Sequence, residues 1–239
     1  MPTLAFMRPA LLAATAVAAL AACQTTPTVS SYQYGNDRVA ECAASTCAAL
    51  MLDYAPIEDY GTLASLSHVT ALMLGYTDFA DLGEIAAMTQ LRELHIGNTR
   101  VRDLGGLSAF GALELLHIQG VEPTSWAPLA QLDGVRELAI GHARMTDFSI
   151  VAQMSGLRRL HVSHVGSGTD LSGLAGHPGL QSVHLDNSLI DDLSPLLSLP
   201  NLRAFSMEAF DEARHAEIIA QLRARGVRIT ITEPVVVVC

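Results

Sequence analysis

The chain has 239 residues, half of them apolar, so it is long enough for one large domain or two small ones around a substantial core. The net charge is −10, and all 14 basic residues are arginine. Acidity disfavours a phosphate-backbone partner, so no nucleic acid is expected. The absence of lysine excludes Schiff-base chemistry and a lysine-bearing phosphate loop.

Met1 to Arg8 carries one positive charge and no acidic residue, and residues 10–22 are small or apolar except for Thr15. As a helix that run would span ~20 Å, short of the ~30 Å hydrocarbon core, so it reads as an export signal and not a membrane span. It ends Leu20-Ala21-Ala22-Cys23, which resembles the lipobox of bacterial lipoproteins. The resemblance implies that residues 1–22 are removed and that Cys23 is acylated on its thiol and its new amine. Those acyl chains exceed what stable anchoring requires, which makes a lipid bilayer one expected partner. Gln24 after the cysteine, where an Asp would retain the protein, points to the outer membrane, on its periplasmic side or at the surface. An ordinary secretory cleavage with Cys23 incidental is the alternative, and it too exports the chain. Residues 23–38 then read as the lipidated cysteine and a polar tether, with Pro27 and Gly35 in it, and residues 39–239 as the folded domain.

Units beginning at Cys47, Val69, Leu91, Leu113, Val135, Leu157, Leu180 and Leu202 repeat every 22 residues, with one step of 23. The fourth residue of each is Leu50, Leu72, Leu94, Leu116, Leu138, Leu160, Val183 and Phe205. The sixth is Leu52, Leu74, Ile96, Ile118, Ile140, Val162, Leu185 and Met207. Apolar residues two apart between polar neighbours predict a short strand in each unit. Positions 14 and 17, such as Leu82 and Ile85 or Leu193 and Leu196, have the spacing of a 3₁₀ or helical turn. Position 13 is Asp59, Asp81, Asp103, Ser125, Asp147, Asp170 and Asp192, read as caps for those turns and not as a catalytic row.

The pattern resembles the leucine-rich-repeat family in its 22-residue, internalin-like form, over residues 47 to about 210. Asp192-Leu193-Ser194-Pro195-Leu196 is close to that form's typical segment. The resemblance implies an α/β, right-handed solenoid with a parallel β-sheet on its concave face and short 3₁₀ or helical turns on the convex one. One departure is position 9, where the family has Asn and this chain has Ala55, Thr77, Thr99, Val121, Ala143, Val165, Ser188 and Phe210. The turns must then satisfy their backbone groups in another way. The extra residue near Gly166-Ser167-Gly168 reads as a loop insertion.

Both ends of a solenoid need caps. Val39 to Thr46 is expected to close the first. Residues 211–225, with Ile218, Ile219 and Leu222 at helical spacing and Gly226 as a stop, predict a capping helix, and Val227 to Thr232 a last strand. Val235 to Val238 reads as a further capping strand or an exposed edge. Cys42 and Cys47 are close enough in sequence to form a disulfide that staples the first cap, while Cys239 is left as an odd thiol.

Among motifs, there is no Gly-x-Ser-x-Gly elbow, His-Glu-x-x-His or Gly-x-Gly-x-x-Gly, so neither an enzyme nor a cofactor is expected. Interest falls on the solvent side of the sheet. Position 5 is Met51, Met73, His95, His117, Ala139, His161, His184 and Ser206, and position 8 is Tyr54, Tyr76, Asn98, Gly120, His142, His164, Asn187 and Ala209. Equivalent residues on neighbouring strands sit ~4.8 Å apart, so His95 with His117, His142 with His164 and His161 with His184 are expected neighbours, with Asp186 beside the last pair. Tyr76, Arg92, His95, His117, Arg136, His142, Arg159, His161, His164, His184 and Asp186 are thus the candidate contacts for an envelope or extracellular protein or peptide. Paired imidazoles with a carboxylate also suit Zn, Cu or Ni, which makes a metal-binding or metal-sensing lipoprotein using His161, His184 and Asp186 the alternative. A solvated sheet face without a discrete ligand is the plainest reading. His68, His177 and His215 fall outside this face and read as structural or surface residues.

Overall fold

Alternation within each unit turns its fourth and sixth residues to one side of a strand, and every one of these residues is buried. The computed structural model describes residues 30–232 apart from 143–144, 167, 189 and 209–211. Within them, β1 (Ala49–Met51), β2 (Ala71–Met73), β3 (Glu93–His95), β4 (Leu115–His117), β5 (Glu137–Gly141), β6 (Arg159–Ser163), β7 (Ser182–Asp186), β8 (Ala204–Glu208) and β9 (Arg228–Thr232) form one parallel sheet in chain order. Register follows the repeat: Leu50 pairs with Leu72, Leu72 with Leu94, and His95 with His117. It moves to a 23-residue offset between β6 and β7, where Arg159 faces Ser182, and the extra residue is taken up in the loop holding Gly166 and Gly168.

A 3₁₀ turn follows each of the first seven strands, from Tyr60–Ser65 to Ser194–Ser198. The caps are those expected: Asp59, Asp81, Asp103, Asp147, Asp170 and Asp192 each accept from the backbone N–H two residues on, at 2.7–2.9 Å, and Ser125 does so at 3.2 Å. At position 9 the missing Asn is replaced locally. Thr77 and Thr99 hydroxyls donate to the carbonyls of Leu74 and Ile96, and the N–H groups of Ala55 and Val121 donate to Leu52 and Ile118. Ala143 and Phe210 lie outside the described residues.

The first cap is larger than expected. Helix α1 runs Ser31–Ser45, so residues 31–38, assigned to the tether by composition, form the first half of a helix. Its contact with the first repeat is made through Gly35, where a Cβ would lie 2.3 Å from the Pro56 carbonyl oxygen and 2.7 Å from that of Ala55. Tyr32 and Tyr60 donate to the two oxygens of Asp78 at 2.7 and 2.8 Å. Burial resists ionisation of that carboxyl, but the two phenol hydrogen bonds, a backbone hydrogen bond and the charge of Arg100 together hold it below the usual carboxylate range. Burial in turn pushes Tyr60 up to about 12. Cys42 and Cys47 close the helix end, with Cα atoms 5.0 Å apart and sulfurs at bonding distance. At the far end α2 (Ala216–Ala224) buries Ile219 and Leu222, and Gly226 turns the chain at φ +82° into β9. Residues 1–29, 143–144 and 233–239 are outside the description, and with them Cys23, the Val235 to Val238 run and Cys239. Among the described residues, no helix is long and apolar enough to cross a membrane.

Candidate functional site

Two rows of side chains, from positions 5 and 8, stand on the solvent side of the sheet. All three expected histidine pairs meet. The ring centroids are 4.1 Å apart for His95 and His117, 3.8 Å for His142 and His164, and 4.6 Å for His161 and His184. A fourth pair joins them: Tyr54 stacks on Tyr76 with centroids 4.3 Å apart and planes 9° off parallel. Ala139, between His117 and His161 in the row, is buried although its position faces outward.

Position 8 has a backbone property that side-chain spacing does not report. Tyr54, Tyr76, Asn98, Gly120, His142, His164 and Asn187 all have positive φ, between 39° and 73°. For residues with a Cβ, this conformation costs on the order of 1 kcal/mol, least for Asn and also tolerated by His. The sheet enforces it: the N–H of each position-8 residue from Tyr54 to His164 donates to a carbonyl of the next repeat at 2.6–3.0 Å. Two tyrosines and two histidines are therefore held in a conformation that Asn or Gly would adopt more cheaply. Glycine suits both places: Gly120 has φ +73°, and a Cβ on Gly141 would lie 2.9 Å from the Ser163 carbonyl oxygen.

Together these residues line an open groove of about 330 Å³ running across the repeats. It brings together Tyr54, Tyr76, His95, His117, His142, His161, His164 and Asp186, with Gly75, Gly97 and Ser163 in its floor. The predicted arginines stand elsewhere. Arg92 and Arg136 precede their strands by one residue and Arg159 opens β6; none lines the groove. Arg92 pairs with Glu114 at 3.1 Å and Arg159 Nε with Glu137 at 2.6 Å, so both are engaged along the start of the sheet. Carboxylates play a larger part than the candidate set allowed. Glu93 meets His95 at 2.7 Å, and Glu137 lies 3.9 Å from His117. Asp186 reaches across strands, with Oδ2 2.7 Å from His161 Nε2 and Oδ1 2.6 Å from His184 Nε2.

Burial under its neighbours, reinforced by the charge His95 would carry, lowers His117 to about 4 despite Glu137. Burial, with His164 close by, also lowers His142. His177 is buried as a brace: it hydrogen-bonds Met154 O through Nε2 and accepts from Gly179 and Leu180 N–H at Nδ1. His215 is buried as well, and His68 lies beside Cys42 in the first cap.

Ser206, His184 and Asp186 form a hydrogen-bonded chain of the residue types used in nucleophilic triads. Asp186 is shared with His161, and Ser206 lies mid-strand, with β8 laddered on both sides to β7 and β9. The backbone at Ser206 is thus committed to the sheet on both sides.

A parallel sheet of one short strand per 22-residue unit, with capped 3₁₀ turns opposite, defines a leucine-rich-repeat solenoid. Solved structures agree. The chain is similar to internalin C2 of Listeria monocytogenes, at 29% identity and a TM-score of 0.55, over 64% of this chain and 67% of that one. It is also similar to internalin F of the same organism, at 20% identity and a TM-score of 0.56, over 74% of this chain but only about half (51%) of the other. No protein-family model matches the sequence, and no curated protein matches it.

Proposed function

We propose that this is an exported, lipid-anchored, non-catalytic module that binds an envelope or extracellular protein or peptide in its concave groove. The observation that carries this reading is the Tyr54–Tyr76 stack. Both rings are more than half exposed, at 67% and 54%, beside an equally exposed Met51, and both stand on left-handed backbone. Large apolar side chains held in water at a conformational cost are unfavourable for the isolated fold. They are what a binding surface needs, because a ring fixed beforehand loses little entropy when it is covered. Tyrosines are also over-represented among the residues that dominate interfaces.

The test is a pull-down from envelope extract with the chain from residue 24 onward, repeated with Tyr54→Ala, Tyr76→Ala and a control on the 3₁₀ turn of the second repeat, Glu84→Ala. One protein enriched by wild type and control, and weakened about tenfold or more by each tyrosine variant, is the expected result. Equal capture by all four chains would remove the groove from the function.

Anchoring rests on the Leu20-Ala21-Ala22-Cys23 segment. In the native host, Cys23→Ser should leave the chain unacylated, still carrying residues 1–22 and lacking the mass of the acyl groups. Identical processing and mass shift in wild type and variant would instead mean ordinary secretory cleavage.

A further inference from the structure

We propose that His161, His184 and Asp186 form a site for one divalent cation of borderline softness, of the Zn²⁺ class. The inference does not depend on a protein partner, since cation binding and partner capture are read separately. Ligand type, distance and support all contribute. Two imidazoles and a carboxylate are the donor set that Zn²⁺ takes in open three-residue sites. One ligand atom from each residue lies within 4.8 Å of the other two. Around Zn²⁺, with bonds of about 2.0–2.2 Å, tetrahedral edges are about 3.4 Å, so side-chain rotations of an ångström or less would seat the ion. The backbone needs no change, because the three residues sit on β6 and β7, paired in register with His161 opposite His184.

The second support is behind His184. Its Nδ1 is hydrogen-bonded to Ser206 Oγ from β8, while its Nε2 faces Asp186. A serine hydroxyl serves both states of the ring. It donates to Nδ1 when Nε2–H points at the carboxylate, and it accepts from Nδ1–H when the Nε2 lone pair turns to a metal. The three residues are only partly buried, and His161 and Asp186 line the groove, so a fourth ligand can arrive from water or from a bound molecule.

The other histidine pairs lack this arrangement. His142 and His164 stack face to face, only 18° from parallel, which keeps their in-plane lone pairs from converging on one point. His95 has Glu93 at 2.7 Å, but its neighbour His117 is 3.9 Å from a different carboxylate, that of Glu137.

The chain from residue 24 onward contains the whole compact unit that starts at Ser31. It can be titrated with Zn²⁺ by calorimetry, and with Co²⁺ as a spectroscopic probe of coordination. One Zn²⁺ per chain is expected, with the visible Co²⁺ band of a four- or five-coordinate site. His161→Ala and His184→Ala should each weaken binding by about tenfold or more, and Asp186→Asn should do likewise while keeping the size of the side chain. Ser206→Ala should keep the stoichiometry and weaken affinity by about tenfold, as loss of a positioning residue does. His95→Ala should bind as wild type does. At one Zn²⁺ concentration, the unfolding temperature of wild type and His95→Ala should also rise more than that of Asp186→Asn, which separates a weakened site from a lost fold. No saturable binding by the wild type, or full affinity retained when His161 and His184 are both replaced, would overturn the proposal.

Discussion

Replacing Phe79 with alanine is expected to lower the unfolding temperature by roughly 6–20 °C. The side chain is fully buried, its ring 5.0 Å from that of Tyr60, and truncating a buried phenylalanine costs about 3–5 kcal/mol in lost transfer energy and cavity. For a chain of this size each kcal/mol moves the midpoint by about 2–4 °C. Location should matter as much as magnitude. In a solenoid each unit packs on its neighbours alone, so damage at Phe79 loosens the first repeats before the last. Tyr60 is both the neighbour of Phe79 and a donor to Asp78, the carboxylate that also holds Tyr32 of α1. Hydrogen exchange should therefore accelerate in α1, β1 and β2 and change little in β7 and β8. Uniform acceleration along the chain, or a midpoint within about 2 °C of wild type, would contradict this account.

The second large effect is one of pH. Burial holds His117 at about 4 in the folded chain, against an ordinary value near 6.5. The folded state thus takes up the proton less readily than the unfolded state. His117 contributes its full stability above about pH 6.5, and that contribution is lost as pH falls from there through about 4. The complete difference corresponds to about 3 kcal/mol, which partial solvation of the ring reduces to about 2 kcal/mol. His117→Gln should therefore gain on wild type by about that amount between pH 7 and pH 4, with a constant difference above pH 7. Parallel stability curves for the two chains across this range would show that His117 titrates normally.

The fold was legible in sequence because a solenoid writes the same instructions many times. Leu72, Leu94 and Leu116 alone would be ambiguous; recurring with Leu74, Ile96 and Ile118 at one spacing, they specify strand, face and register together. The capping aspartates and the histidine neighbours followed from the same spacing. Helix α1 did not, for a physical reason. Ser31–Ser45 is polar, has no strong apolar face and carries a glycine inside it, all of which argue for a loop. That glycine is where the helix touches the carbonyls of Ala55 and Pro56, a tertiary contact that local preference cannot report. The left-handed backbone at position 8 was also hidden, although Asn98, Gly120 and Asn187 at three of its sites were a usable hint, being residues that adopt it most easily. Arg92, Arg136 and Arg159 flank the groove and do not line it: Arg92 and Arg136 precede their strands, while Arg159, two residues before His161 on the same outward face, is turned to Glu137.

The separation of inward and outward positions along each strand has an evolutionary consequence. Residues four and six are buried in every repeat, while most of positions five and eight face solvent, with Ala139 buried among them. Mutation can therefore rewrite much of the groove one repeat at a time, with least effect on the fold where the side chain is exposed, as at Met51, Tyr54 and Tyr76. The freedom is unequal: position 5 sits on ordinary strand backbone and is limited mainly by space, as at the buried Ala139, but position 8 filters its alphabet through a positive φ. A combinatorial library built on this scaffold should therefore randomise the fifth position except at the buried Ala139 and confine the eighth to Asn, Gly, His and Tyr, the residues found there between Tyr54 and Asn187.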